Sequence, residues 1–180
     1  IMPKKIENLI KACKKENELA QMQVYDLYCK AMFNVAMRYL NNAEDAKDAM
    51  QEGFLKAFTK IEYYKPTSSF GSWLKRIIIN QCIDTLKKKK MMFTDMDVEK
   101  IEIPNNDWRF DAHISKAQIL KAIGSLKDKH KIVVKLYLIE GYDHEEISEI
   151  LDIPKETSRT YLHRGKAALK DHLDAGYNEA

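Results

Sequence analysis

A chain of 180 residues, 45% hydrophobic and 32% charged, has room for one or two small globular domains. It is too charged for a membrane protein and too apolar for a disordered one. Six Gly and four Pro are too few for the turns of an all-β sandwich or barrel. The net charge of +3 conceals a partition along the chain. Residues 1–92 carry +7, residues 93–112 carry −4, and residues 113–180 balance to zero.

The first half reads as helices throughout. Ile6, Leu9, Ile10 and Cys13 recur at helical spacing, and Glu16-Asn17 offers a break. Residues 18–40 then form a helix apolar on more than one side, through Leu19, Met22, Val24, Leu27, Tyr28, Ala31, Phe33, Val35 and Leu40. Asn41-Asn42 can cap the next helix, with Glu44 and Asp45 favouring its dipole. That helix, 43 to about 61, places Ala46, Met50, Phe54, Ala57, Phe58 and Ile61 on one face. Asp45, Asp48, Gln51 and Glu52 share another. Residues 62–69 form a loop, because Pro66 disfavours helix at Lys65, and Ser68 or Ser69 can cap a helix starting at Phe70. This fourth helix, Phe70 to about Lys90, is expected to bury Phe70, Trp73, Leu74, Ile77 and Leu86. It exposes Arg76, Asn80 and Asp84.

Residues 91–112 hold Pro104 and Asn105-Asn106 without a sustained period, and read as a flexible linker. Helices are expected near 113–126, 128–140, 143–151 and 154–174. The fold class is therefore all-α: two small helical domains, 1–90 and 113–180, joined by the acidic linker 91–112. Gly141-Tyr142 ends one helix and Asp143 caps the next; the turn at Asp152-Ile153 leads to Pro154 at a first helical position. The last helix turns Ser158, Leu162, Gly165 and Leu169 inward, with Lys155, Arg159, Thr160, His163, Arg164 and Lys166 outward. A short helix, a tight turn and a second helix with a basic face suit a helix-turn-helix, whose second helix reads base edges in the major groove. A helical hairpin with a solvated basic face is the plainer reading of the same residues.

In the first domain, Tyr63, Tyr64, Thr67, Ser68, Phe70 and Trp73 interleave with Lys60, Lys65, Lys75 and Arg76 around one loop. Aromatic faces beside cations suit single-stranded nucleic acid, since every base has a π-face and every nucleotide a phosphate. Three widely spaced cysteines, Cys13, Cys29 and Cys82, form no disulfide framework and read as small core residues in a reducing cytoplasm. His144-Glu145 is followed by Ser148, so no HExxH zinc site forms, and neither a P-loop nor GxSxG is present. No metal, cofactor or catalytic set is expected, and an enzyme is disfavoured. The longest strictly apolar stretches are trios such as Ile77-Ile78-Ile79, against the ~20 residues a bilayer span requires. No membrane insertion is expected.

Leu40 through Asp48, then Gln51-Glu52-Gly53-Phe54-Leu55-Lys56, then Trp73-Leu74-Lys75-Arg76-Ile77 with Asn80 and Ile83-Asp84, resemble region 2 of the extracytoplasmic-function (ECF) sigma factors. Glu140-Gly141-Tyr142, Glu146-Ile147 and Thr157 through Leu162-His163-Arg164-Gly165-Lys166 to Leu169 resemble their region 4. The resemblance implies a bacterial initiation factor without catalysis of its own. It implies that Asp45, Asp48, Gln51 and Glu52 bind core RNA polymerase. Tyr63, Tyr64, Lys65, Thr67, Ser68, Trp73, Arg76 and Asn80 would engage the −10 element and its melted non-template strand. Lys155, Arg159, Thr160, His163 and Arg164 would read the −35 element as duplex. It also implies a regulatory anti-sigma factor among the partners. The alternative is a stand-alone helix-turn-helix regulator that never binds polymerase.

A linker of 22 residues reaches up to about 75 Å at ~3.4 Å per residue. Promoter elements about 17 base pairs apart are separated by about 60 Å at ~3.4 Å per pair, so one chain can hold both. Three departures from the family pattern stand out. Leu126-Lys127 replaces a frequent Leu-Pro, softening that helix boundary. Ser158 occupies an inward position usually taken by Val, which should weaken the core modestly. Tyr161 stands where Arg is common, leaving only its hydroxyl to meet a phosphate.

Overall fold

The computed structural model describes residues 4–89 and 114–178, with no strand among the described residues. The chain divides into two compact units, Ile1–Lys89 and Lys90–Ala180. The linker expected at 91–112 lies outside the described residues.

The first unit comprises α1 (Lys4–Cys13), α2 (Glu18–Leu40), α3 (Ala43–Thr59) and α4 (Phe70–Lys88). Its helix ends are written in local chemistry. Glu16 takes the left-handed conformation (φ 58°), and the Asn17 side chain accepts from the Ala20 N–H at 2.9 Å to start α2. Asn41 closes α2 at φ 52°, and the Asn42 side chain accepts from Asp45 N–H at 3.0 Å to start α3. Ser69, of the two serines foreseen, caps α4 by accepting from Ser72 N–H. Each such cap is worth about 1 kcal/mol.

Helices α2, α3 and α4 all pack on one another, with α1 on α2. Because α4 touches two neighbours, its buried arc keeps the expected Phe70 and Leu74 but is otherwise turned from the expected one. Phe70, Leu74, Ile78, Ile79, Cys82 and Ile83 are buried, whereas Trp73, Ile77 and Leu86 are only half-buried. In α3, Ala49 and Gly53 join the expected core, while Phe58 stays half-buried. Gly53 lies so close to α4 that a Cβ would come within 2.4 Å of Ile78 Cδ1. Helix α2 buries Ala20, Val24, Met32, Val35, Ala36, Tyr39 and Leu40 but exposes Leu19, Met22 and Leu27. Cys13 and Cys82 are core residues, as expected, with burial pushing the Cys82 thiol up to about 12. Cys29 is half-exposed.

The second unit holds α5 (Lys116–Ser125), α6 (Asp128–Val134), α7 (His144–Leu151) and α8 (Lys155–Asn178). Ser115 with Gln118, and Asp143 with Glu146, form reciprocal capping boxes at α5 and α7. The helix expected over 128–140 is not uniform. After Val134 it widens into a π-helical turn, Lys135–Ile139, whose end is fixed by Glu140 N–H donating to the Lys135 carbonyl at 3.1 Å. Leu126 is buried in extended conformation, ending α5 without a proline, and α6 starts without a side-chain cap. Gly141 (φ 77°) and Asp152 (φ 56°) supply the left-handed positions flanking α7. The Pro154 carbonyl accepts from Ser158 N–H at 3.1 Å, so the proline sits one position before the first residue of α8. Helix α8 packs on α5, α6 and α7. At Gly165 a Cβ would lie 2.5 Å from Val134 Cγ2, so only glycine permits that approach of α6.

Candidate nucleic-acid and partner interfaces

The acidic face of α3 starts from its cap. Asp45, in the first turn, is partly buried and ion-paired with Lys89 beyond the end of α4. Asp48, Gln51 and Glu52 are exposed. Glu52 accepts a hydrogen bond from the Gln81 amide, and the Gln81 carbonyl accepts from Lys56, which also lies 3.8 Å from Asp84. Gln81 is buried at 3% exposure, a site that sequence patterning missed. The available signal was its register, three and seven residues after the buried Ile78 and Leu74. Leu55, 68% exposed and three residues after Glu52, adds an apolar contact point to the same face.

The loop 62–69 begins as a single 3₁₀ turn, Ile61–Tyr63. That turn separates the two tyrosines that sequence treats alike. Tyr63 projects into solvent at 79% exposure, with Lys65, Thr67 and Ser68 exposed beside it. Tyr64 is buried at 5%, its ring 5.4 Å from both Phe70 and Trp73. Its hydroxyl donates to the Ser68 carbonyl at 2.8 Å. Burial, with smaller contributions from Tyr28 and Glu7, raises that phenol's pKa. Tyr64 is therefore a pin inside the loop, and the expectation that it offers a stacking surface is corrected. Trp73 is half-buried against it; Arg76 is half-buried and Asn80 exposed on α4.

On α8, Arg159 is exposed, while Lys155, Thr160, His163 and Arg164 are half-buried. These five span one side of the helix, opposite buried Ser158, Tyr161, Leu162, Gly165 and Leu169. Lys155 pairs with Glu145 of α7, tying the first turn of α8 to the preceding helix. Thr160 Oγ1 donates to the Glu156 carbonyl at 3.0 Å. Ser158 is fully buried, and the weakening expected there is offset by a partner: its hydroxyl shares a hydrogen bond with His144 Nδ1 at 2.9 Å. Tyr137 stacks on His144 (4.9 Å, 28°), with Lys166 Nζ 5.6 Å from the Tyr137 ring centre. Burial first, then Arg159, lowers the His144 pKa. His130 is also lowered by burial, then by Lys129, Arg164 and Lys127.

Tyr161 is 2% exposed against His130 at 5.6 Å. It cannot reach a phosphate, so the contact left open for its hydroxyl is withdrawn. The pattern 158-161-162-165 is itself a buried helical stripe, the signal that would have placed it. No helix among the described residues is long and apolar enough to cross a membrane.

Residues 24–91 match the family Sigma-70 region 2, and residues 116–169 match Sigma-70, region 4. The chain is 32% identical over 180 residues to the ECF RNA polymerase sigma factor SigW of Bacillus subtilis, covering 93% of this chain and 96% of that one. Two solved structures share the fold. One is CnrH in complex with the cytosolic domain of CnrY (TM-score 0.52, 20% identity, 93% and 96% covered). The other is the sigma factor RpoE in complex with the anti-sigma factor NepR from Bartonella quintana (TM-score 0.54, 19% identity, 85% and 96% covered). With a SigW-like sequence along nearly its whole length and regions 2 and 4 matched in that order, the chain belongs to the ECF RNA polymerase sigma factors of the sigma-70 family.

Proposed function

We propose that this sigma factor joins core RNA polymerase through Asp45, Asp48, Gln51 and Glu52, and directs it to promoters through two separate readers. Tyr63, Lys65, Thr67 and Ser68 receive a base flipped from the non-template strand of the −10 element, with Trp73, Arg76 and Asn80 beside them. Lys155, Arg159, Thr160, His163 and Arg164 contact the −35 element. The observation that carries this reading is the sorting of surfaces within one chain. An acidic helix face and an exposed aromatic loop lie on the first unit, and a basic recognition helix on the second. Flipping a base costs a few kcal/mol, and one stacking contact returns roughly 1–3 kcal/mol. Opening therefore needs the polymerase as well as the loop. The factor supplies no catalytic group; nucleotide addition belongs to the polymerase, and the work is done in the cytoplasm. The complexes of CnrH with CnrY and RpoE with NepR support an anti-sigma factor as a further partner.

Co-elution with core polymerase tests the first assignment. Glu52→Lys reverses a charge at the centre of the face and is expected to abolish association, and undiminished co-elution removes that interface. For the second unit, Arg159→Ala should relax preference at the −35 element by about 1–3 kcal/mol. Transcription from promoters substituted base by base reads this, and an unchanged preference profile refutes it. A regulator independent of polymerase would bind promoter duplex tightly alone, which a gel shift without core enzyme detects.

A further inference from the structure

The polar lattice between α3 and α4 has a feature that neither core packing nor a solvated face requires. Gln81 lies on the buried arc of α4, in register with Leu74 and Ile78, yet its amide makes both of its side-chain hydrogen bonds to α3. The two bonds have opposite polarity. Its carbonyl oxygen accepts from the Lys56 ammonium, and its NH₂ donates to the Glu52 carboxylate. A primary amide can satisfy both only in one orientation, with oxygen toward the cation and nitrogen toward the anion. Both bonds involve a charged group and belong to the stronger class.

Glu52 and Lys56 are four residues apart on one helix, with the glutamate first. That is the favoured geometry for a direct ion pair. Such a pair would place a positive charge on the carboxylate. Here Lys56 is drawn across to Gln81 and to Asp84, 3.8 Å away, both on α4. The carboxylate of Glu52 meets a neutral donor instead, with no cation paired against it, and remains on the exposed surface.

We infer that Gln81 is a positioning residue for polymerase binding: its buried amide holds the Glu52 carboxylate outward while keeping Lys56 from neutralising it. This rests on the reading of Glu52 as a polymerase contact, and it assigns a role to a residue that never touches the polymerase. It also makes α4 serve two surfaces at once. Asn80 faces outward toward the proposed promoter contacts, and its neighbour Gln81 faces inward to α3.

The test compares affinity for core polymerase with thermal stability in the full-length protein. Gln81→Leu places an apolar side chain of similar volume in the core and removes both bonds. Its melting temperature should stay close to that of the parent, because Glu52 and Lys56 are exposed and water can take up the bonds they lose. Its affinity for core polymerase should fall about twofold, as Lys56 swings onto Glu52. Adding Lys56→Met to that variant should recover most of the loss, a rescue that a merely structural role for Gln81 does not predict. Should Gln81→Leu fail to fold, Gln81→Glu serves: it retains a partner for Lys56, repels Glu52, and should also weaken binding. Parent-like affinity in the folded variant overturns the inference, provided Glu52→Gln is weakened in the same assay. Parent-like affinity in Glu52→Gln itself overturns the surface assignment beneath it.

Discussion

Tyr63 and Tyr64 are neighbours of identical chemistry, and one 3₁₀ turn gives them opposite fates. Tyr64→Ala should cost about 3 kcal/mol of stability, the scale of aromatic truncation in a core. Tyr63→Ala should leave the melting curve unchanged and slow promoter opening, read by permanganate reactivity of the melted strand. If both variants melt alike and open alike, the division between pin and platform is wrong. The division could not be read from spacing, because alternation in so short a turn depends on how its ends are held. Tyr64 is held from outside the turn, by its hydroxyl on Ser68 and by Phe70 and Trp73. Gln81 was hidden for a related reason: its partners Glu52 and Lys56 lie 29 and 25 residues earlier in sequence. Ser158 looked like a defect until His144 was beside it.

Among the helices, the legible features were the local ones. Caps at Asn42, Ser69 and Asp143 depend on residues within one turn, and all three form. The inward face of α4 was not legible. Ile77, Ile78 and Ile79 make that helix apolar on several sides, and only its packing on both α2 and α3 selects Ile78 and Ile79 over Ile77. The π-helical turn after Val134 also had no sequence mark. Close helix approach makes a sharper prediction at the two buried glycines. At Gly165 the obstacle is Val134 Cγ2, on a β-branched side chain with one preferred rotamer, and the His130 carbonyl oxygen is 3.5 Å away. At Gly53 the nearest atom is the Cδ1 end of Ile78, one rotatable bond further out than a valine methyl, with the Ile78 Cα 3.4 Å away. Overpacking costs about 1–3 kcal/mol, against about 0.5–1 kcal/mol gained by alanine over glycine in a helix. Gly165→Ala should therefore destabilise by about 1–2 kcal/mol and Gly53→Ala by less, compared by urea unfolding. The reverse order would refute the packing argument.

Over the whole chain, the histidines gather in the second half. All five histidines follow residue 112, and two of them, His130 and His144, are lowered by burial and by nearby cations. Their unfolded value is about 6.5, so below it the unfolded chain binds more protons than the folded one. Stability from this source is complete above about pH 6.5 and is lost as pH falls toward the folded values. Hydrogen exchange at pH 7.5 and 5.5, corrected for intrinsic rates, should show protection falling in α8 more than in α4; equal loss in both helices would refute this. The first unit answers instead to its excess of +6, and hence to salt. The ion pair between Lys89 and Asp45 has a mechanical meaning as well. Lys89 is the last residue of that unit, so tension along the chain beyond it arrives at this pair first. The pair fastens the end of α4 to the first turn of α3 and passes the load to the helix that carries Glu52. A surface pair of ~0–1 kcal/mol is a weak fastening, and a readily released one.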